Sequence, residues 1–396
     1  MENLILKKKI DEITTVSESE VVSEIGLLTG IGGQILTCSE LFLHKKIPES
    51  WLSHLHQVLE KKIQNEDFMP THCTGLAGIG WLYEYLSQRK ITDYDTNILL
   101  EDFDIYLEKA LKKILKKGNY DFLHGGVGIA LYLTKRVAKR KELAIVLNQF
   151  LKDLEKASTE NAGTIKWRSY LSEEIGWGYD IALAHGISGI VALLSKLYKV
   201  EEIDKEKTKK NLYGTVQYIL AQEIDKDKYG SYFPVFALES MTTIYKSRMG
   251  WCYGDLGIAS ALYMAGKTLQ EDTWTSKAME ILLYAAIHRK TLEDNFVKDA
   301  GLCHGAAGIG HIFYRMWWNT KIPEFKNAAD YWFDITLKMA RFTDGLAGFK
   351  SLEMPDGKPN WLNKFGFLEG VTGIGMALLT YYYEMEPEWD ECLLLS

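Results

Sequence analysis

Three residues of this 396-residue chain, Cys252, Cys303 and His304, carry side chains suited to holding a metal. No short metal-binding pattern joins them: the two cysteines are 51 residues apart, and Cys–His adjacency is common by itself. What relates them is position within a repeated phrase, Gly-x-x-Gly. Cys252 stands two residues before Gly254, Cys303 two before Gly305, and His304 one before Gly305. If the repeats are equivalent, the three share one rim on neighbouring elements. Two thiolates and one imidazole form a donor set that zinc favours, and three protein ligands leave a fourth position open, as in catalytic zinc sites.

The phrase occurs seven times, beginning at Gly30, Gly75, Gly125, Gly186, Gly254, Gly305 and Gly370. The intervals of 45, 50, 61, 68, 51 and 65 residues each fit a helix pair with variable loops. After each phrase comes a run with few polar breaks, such as Ile79–Leu86, Ile190–Tyr198 and Ile374–Tyr383. A helix that is apolar nearly all round is buried. The intervening stretches, among them Thr96–Leu115, Lys205–Glu223 and Thr275–Arg289, are charged and amphipathic. Seven inner helices paired with seven outer ones predict an all-α fold, an α/α-toroid, as a single domain over residues 1–396. Aromatic loop insertions are expected near 158–182 and 226–236, where they overhang the cavity.

The residue just before the first glycine is Thr29, Thr74, His124, His185, Tyr253, His304 and Glu369 in turn. Seven such positions would face one cavity at the N-terminal ends of the inner helices, where partial positive charge suits a thiolate or an enolate. Of these residue types, histidine has the ordinary pKa best suited to moving a proton near neutral pH.

Composition narrows the function classes. A net charge of −7 opposes general nucleic-acid binding, which needs a basic face. The lysine-rich stretches 109–117 and 196–210 are expected to be solvated helix faces. Five scattered cysteines make a poor disulfide framework and fit a reducing compartment. Neither a signal-peptide core nor a run of about 18 apolar residues is present, so a cytoplasmic location is expected, with membrane association only peripheral, through a biosynthetic complex.

Three blocks, Arg248-Met-Gly-Trp-Cys-Tyr-Gly254, Cys303-His-Gly-Ala-Ala-Gly308 and Ala184-His-Gly-Ile-Ser-Gly189, resemble the signatures of the lanthionine synthetase C family. The seven-fold glycine pattern extends the resemblance over nearly the whole chain. It implies an α/α-toroid with one zinc ion per chain, held by Cys252, Cys303 and His304. It implies His185 as proton donor, Asp121 as an active-site carboxylate that orients His185 or accepts the thiol proton, and Arg248, Trp251 and Tyr253 as cavity residues. The implied substrate is a dehydrated precursor peptide, whose Cys thiols add across dehydroalanine or dehydrobutyrine to form thioether rings.

The implied chemistry suits the residue types. A free thiol with a pKa of about 8.5 is only a few per cent thiolate at neutral pH, and zinc coordination deprotonates it. The resemblance also implies a separate dehydratase and a transporter complex as partners. Rival readings are a LanC-like enzyme that adds glutathione to dehydrated residues, a non-catalytic peptide-binding toroid, and a carbohydrate-active α/α-barrel. The last needs an acidic pair in the cavity, and none stands out.

Overall fold

The structure, a computed structural model, describes residues 3–65, 68–239 and 244–396. Each of the seven glycine phrases opens a helix. These motif helices are Ile31–Leu43, Leu76–Gln88, Gly126–Arg136, Ile187–Lys199, Asp255–Leu269, Ala306–Thr320 and Val371–Tyr382, each with the first glycine of its phrase as N-cap. They are as apolar in place as in sequence; Ala77 to Leu86 are all buried.

No side chain caps these seven helices. The orphan N–H groups of a helix start must nevertheless be satisfied. Here the preceding turn supplies carbonyls: Ile31 N–H donates to Glu24 O at 2.7 Å, Leu76 N–H to Met69 O at 3.0 Å, and Val371 N–H to Lys364 O at 2.9 Å. That carbonyl comes so close that only glycine fits beside it. A Cβ on Gly75 would stand 1.9 Å from Met69 O, and one on Gly254 would stand 1.8 Å from Arg248 O. Gly254 also has φ +106°, a conformation that side chains rarely adopt.

The contacts divide the chain into two compact units. One comprises Thr96–Asn295 with Asp390–Ser396. Its charged helices bury one stripe each; Glu101–Leu115 buries Asp104, Leu107, Leu111 and Leu115. Asp104 meets Arg136 at 2.8 Å and Arg140 at 3.0 Å, and accepts from the Tyr132 hydroxyl at 2.5 Å, tying this helix to Gly126–Arg136. Asp255 accepts N–H groups from Tyr232 and Phe233 and pairs with Arg289 at 2.8 Å, which seats the 226–236 segment at the start of a motif helix. Glu391 meets Lys135 at 2.5 Å and Lys196 at 3.1 Å. Lys196 is therefore not part of a solvated face, because its ammonium turns inward to the C-terminal segment. Lys207 and Lys210 do lie on an outer helix, paired with Glu155.

The 158–182 insertion is β-structure. β1 (Thr159–Asn161) pairs with β2 (Thr164–Lys166), and β3 (Ser169–Ser172) with β4 (Gly176–Asp180). The 226–236 insertion contributes a short helix, Lys226–Tyr229, and β5 (Phe236–Ala237), which pairs with β4. The order of this small antiparallel sheet is β3-β4-β5.

The other unit comprises Met1–Asp95 with Phe296–Trp389. In it the residues two before each first glycine are linked by backbone hydrogen bonds. Cys303 N–H donates to Leu368 O at 2.9 Å, Leu368 N–H to Leu28 O at 2.9 Å, and Leu28 N–H to Cys73 O at 3.0 Å. The seventh repeat is thereby stitched to the first. A hairpin of β6 (Ser351–Glu353) and β7 (Asn360–Leu362) precedes the last motif helix.

Candidate metal centre and active site

In every repeat the residue before the first glycine is exposed or half-buried, and in all but the fourth, where Gly186 is half-buried, the glycine behind it is buried. The turn that brings a carbonyl back to cap the helix leaves this side chain outside the packing. His185, Tyr253 and His304 are therefore accessible for the same local reason.

Among the described residues, Cys252, Cys303 and His304 each offer one ligand atom, and all three atoms lie within 4.8 Å of one another. At the tetrahedral angle two metal–sulfur bonds of about 2.3 Å place their sulfurs about 3.8 Å apart, so a spread within 4.8 Å needs only a small contraction to hold one ion. Cys252 is buried, whereas Cys303 and His304 are half-buried, which leaves the group reachable from one side. The donor set fits a borderline-soft ion such as zinc. By contrast Cys38 is fully buried, and burial pushes its thiol up to about 12. Its sulfur is a packing group.

The second cluster is built on Asp121 and His185. Asp121 Oδ1 accepts the His124 backbone N–H at 2.6 Å, and Oδ2 meets His185 Nδ1 at 2.6 Å. A carboxylate accepts, so Nδ1 carries the hydrogen and Nε2 is the ring nitrogen not engaged by Asp121. Burial disfavours the imidazolium, but the Asp121 hydrogen bond and the charges of Asp121 and Asp180 outweigh it, and the His185 pKa is raised. His124 stacks against His185 with ring centroids 6.3 Å apart.

Tyr253 lies beside His185, its ring centroid 5.7 Å away, and donates its hydroxyl to Asp180 Oδ2 at 3.3 Å. Burial first, then the Asp180 carboxylate, hold this phenol above its usual pKa, so it stays protonated. Asp180 Oδ1 accepts the Ala182 N–H at 2.8 Å. Burial raises the Asp180 carboxyl to about 6, against the Ala182 and Tyr253 hydrogen bonds. Asp121, Asp180, His185 and Tyr253 line one cleft of about 420 Å³.

The sequence-expected residues thus divide. Asp121, His185 and Tyr253 come together, but the structure does not place Arg248 or Trp251 in the cleft lining. Trp251 is 1 % exposed; its indole donates to Leu393 O at 2.8 Å and its ring meets Phe122 edge-on. It packs in the interior and does not line this cleft. Arg248 contributes its backbone carbonyl, which packs against Gly254. Asp180 was not expected from sequence; its place six residues before Gly186, matching Asn119 before Gly125 and Asp299 before Gly305, was the available signal.

Comparisons with known proteins bear on the family and the fold. The model of the family described as "Lanthionine synthetase C-like protein" matches residues 12–394. The nisin biosynthesis protein NisC of Lactococcus lactis subsp. lactis is 25% identical, over 94% of this chain and 89% of that protein. Among solved structures, a nisin cyclase superposes with a TM-score of 0.74 at 20% identity, covering 98% of this chain and 96% of that one. A D-mannose isomerase matches 67% of this chain and 71% of its own, with 11% identity and a TM-score of 0.43. The fold is thus the all-α toroid expected from the repeats. With seven glycine-capped helices and a match from residue 12 to residue 394, the chain belongs to the lanthionine synthetase C-like family.

Proposed function

We propose that this protein is a lanthipeptide cyclase, which adds peptide cysteine thiols to dehydroalanine or dehydrobutyrine and so forms thioether rings. The observation that carries the reading is a Cys-Cys-His donor group in the same chain as an Asp121–His185–Tyr253 cleft. Cys252, Cys303 and His304 would hold zinc, which supplies acidification of an incoming thiol when bound.

The chain's own residues account for the protons. As sulfur bonds to the β-carbon, the alkene electron pair moves toward the α-carbon and carbonyl, giving an enolate on the peptide. Neutral His185 takes up the thiol proton at Nε2 and returns it from the same atom to the α-carbon, so the product is an isomer of the substrate. Both Asp121 oxygens are occupied, one by His124 N–H and one by His185 Nδ1. Asp121 therefore orients the imidazole and stabilises its charged form. The Tyr253 hydroxyl, its ring beside His185, would turn its one hydrogen from Asp180 to the enolate oxygen as the negative charge develops there.

A dehydratase must act first to create the alkene. The test uses a synthetic peptide with one dehydroalanine and, a few residues on, one cysteine. Incubation should remove the free thiol at unchanged mass. A product heavier by one glutathione, formed in its presence with the peptide thiol still free, would establish glutathione transfer instead.

A further inference from the structure

The cleft beside His185 does not end at the catalytic cluster. It extends along the inserted sheet, where Trp167, Arg168, Ser169, Tyr170 and Leu171 all line it. Consecutive residues of a strand point to opposite faces. A cavity lying on one face would meet only alternate residues; this one meets Ser169, Tyr170 and Leu171 of β3 in succession and so runs along the strand's edge. β3 has that edge to offer: in the order β3-β4-β5 it has a sheet neighbour on one side only.

A free strand edge presents unpaired backbone N–H and C=O groups to whatever occupies the space beside it. The aromatic side chains next to this edge are also oddly placed for a packing role. Tyr170 and Trp177 are cross-strand partners, each 57% exposed, with their rings edge to face at 5.7 Å. The Arg168 guanidinium lies 5.7 Å from the Trp177 ring centroid. Yet the hairpin is firmly seated. Trp167 is buried and donates its indole N–H to Leu154 O at 2.8 Å, and β4 pairs with β5. β4 ends at Asp180, whose carboxylate holds Tyr253, so the open edge is rigidly linked to the reacting site.

We infer that the peptide substrate is held as an added β-strand along the free edge of β3, with one of its side chains against Tyr170 and Trp177. This inference rests on the cyclase reading for the identity of the peptide. Main-chain pairing supplies affinity that tolerates varied sequence, and the aromatic pair adds a preference for an apolar or aromatic side chain at one position. Continuity of the cleft commits the occupant: a chain leaving His185 passes β3 within the same cavity.

The test uses the full-length protein and an unreactive analogue of the synthetic peptide, with alanine in place of dehydroalanine. Backbone amides of the analogue are N-methylated one at a time, and binding is followed by fluorescence anisotropy. Strand addition predicts about a tenfold rise in Kd at alternate positions and little change between them. A second arm measures Tyr170→Ala/Trp177→Ala, expected to raise Kd and KM about tenfold with kcat and metal content unchanged. It should also lose the wild type's preference for a Phe over a Ser neighbour in the peptide. Equal effects at all N-methyl positions, no saturable binding, or a double variant within twofold of wild type would overturn the inference. Alternating binding without ring formation by the reactive peptide refutes the cyclase reading alone; ring formation without alternation refutes strand addition alone.

Discussion

Asp121 and His185, 64 residues apart in sequence, meet through a 2.6 Å hydrogen bond between Oδ2 and Nδ1. The other Asp121 oxygen is fixed by the His124 backbone N–H, within the same tight turn that leads into Gly125. The carboxylate is therefore held by one repeat and holds the imidazole of the next. His185→Asn is expected to slow ring formation by about 10²–10⁴-fold while metal content and fold persist. Asp121→Asn keeps the shape but removes the charge that raises the His185 pKa, and should cost about 10-fold or more. Mass spectrometry after thiol alkylation reads both; wild-type rates in His185→Asn would remove His185 from the proton path.

Metal content is the second prediction. Purified protein should contain about one zinc ion per chain, and Cys303→Ala should lose it. The unfolding midpoint should shift little, because a repeat array of this size owes its stability to helix burial. Elemental analysis beside urea denaturation separates the two effects. Full zinc in the variant would refute the ligand assignment.

Trp251 supplies the third. Its indole N–H donates to Leu393 O inside the packing, so Trp251→Phe should lower stability by about 1–2 kcal/mol through the lost hydrogen bond and contact area. The ring-forming rate should stay within a few fold of wild type. A large fall in rate at unchanged stability would restore Trp251 to the reacting site.

A fourth prediction concerns acid. Burial opposes charge on Glu391, but the ammonium groups of Lys196 and Lys135 overcome it and lower its pKa from 4.5 to about 2. A carboxyl with a depressed folded pKa contributes stability above its unfolded value, which is lost as pH falls through the folded one. Burial lowers the Lys196 pKa, which offsets part of the gain. Glu391→Gln should therefore be less stable than wild type by about 2 kcal/mol at pH 7. The gap should close between pH 4.5 and about 2. Urea unfolding of both proteins across that window checks the sign; a gap that widens in acid would refute it.

How much of this was legible in sequence depended on how local each cause is. The motif helices were readable because glycine at a fixed offset and an apolar run both act within one turn. Cys252, Cys303 and His304 were readable as a group only because their repeats could be aligned. The inward packing of Trp251 was not legible because Cys252 and Tyr253 follow it directly, yet neighbouring side chains on a turn leave in different directions, and its partner Leu393 lies 142 residues away. Asp180 was missed because its partner Tyr253 is 73 residues distant and its own segment reads as a strand end. The β6–β7 hairpin did carry a local signal, Pro355-Asp356-Gly357, of the kind that makes turns.

The stitching of Leu368 to Leu28 has a consequence for how the chain is made. One compact unit joins Met1–Asp95 to Phe296–Trp389, so its earliest-synthesised helices cannot complete their packing until the ribosome has delivered its latest ones. At about 5–20 residues per second, synthesis of the intervening 200 residues takes roughly 10–40 s. Throughout that time the apolar faces of Ile31–Leu43 and Leu76–Gln88 lack their final neighbours, and the Leu28 carbonyl has no Leu368 to accept from. The middle unit is nearly contiguous and waits only for Asp390–Ser396. Destabilising changes in the N-terminal quarter should cost yield in the cell before they cost anything to the folded protein.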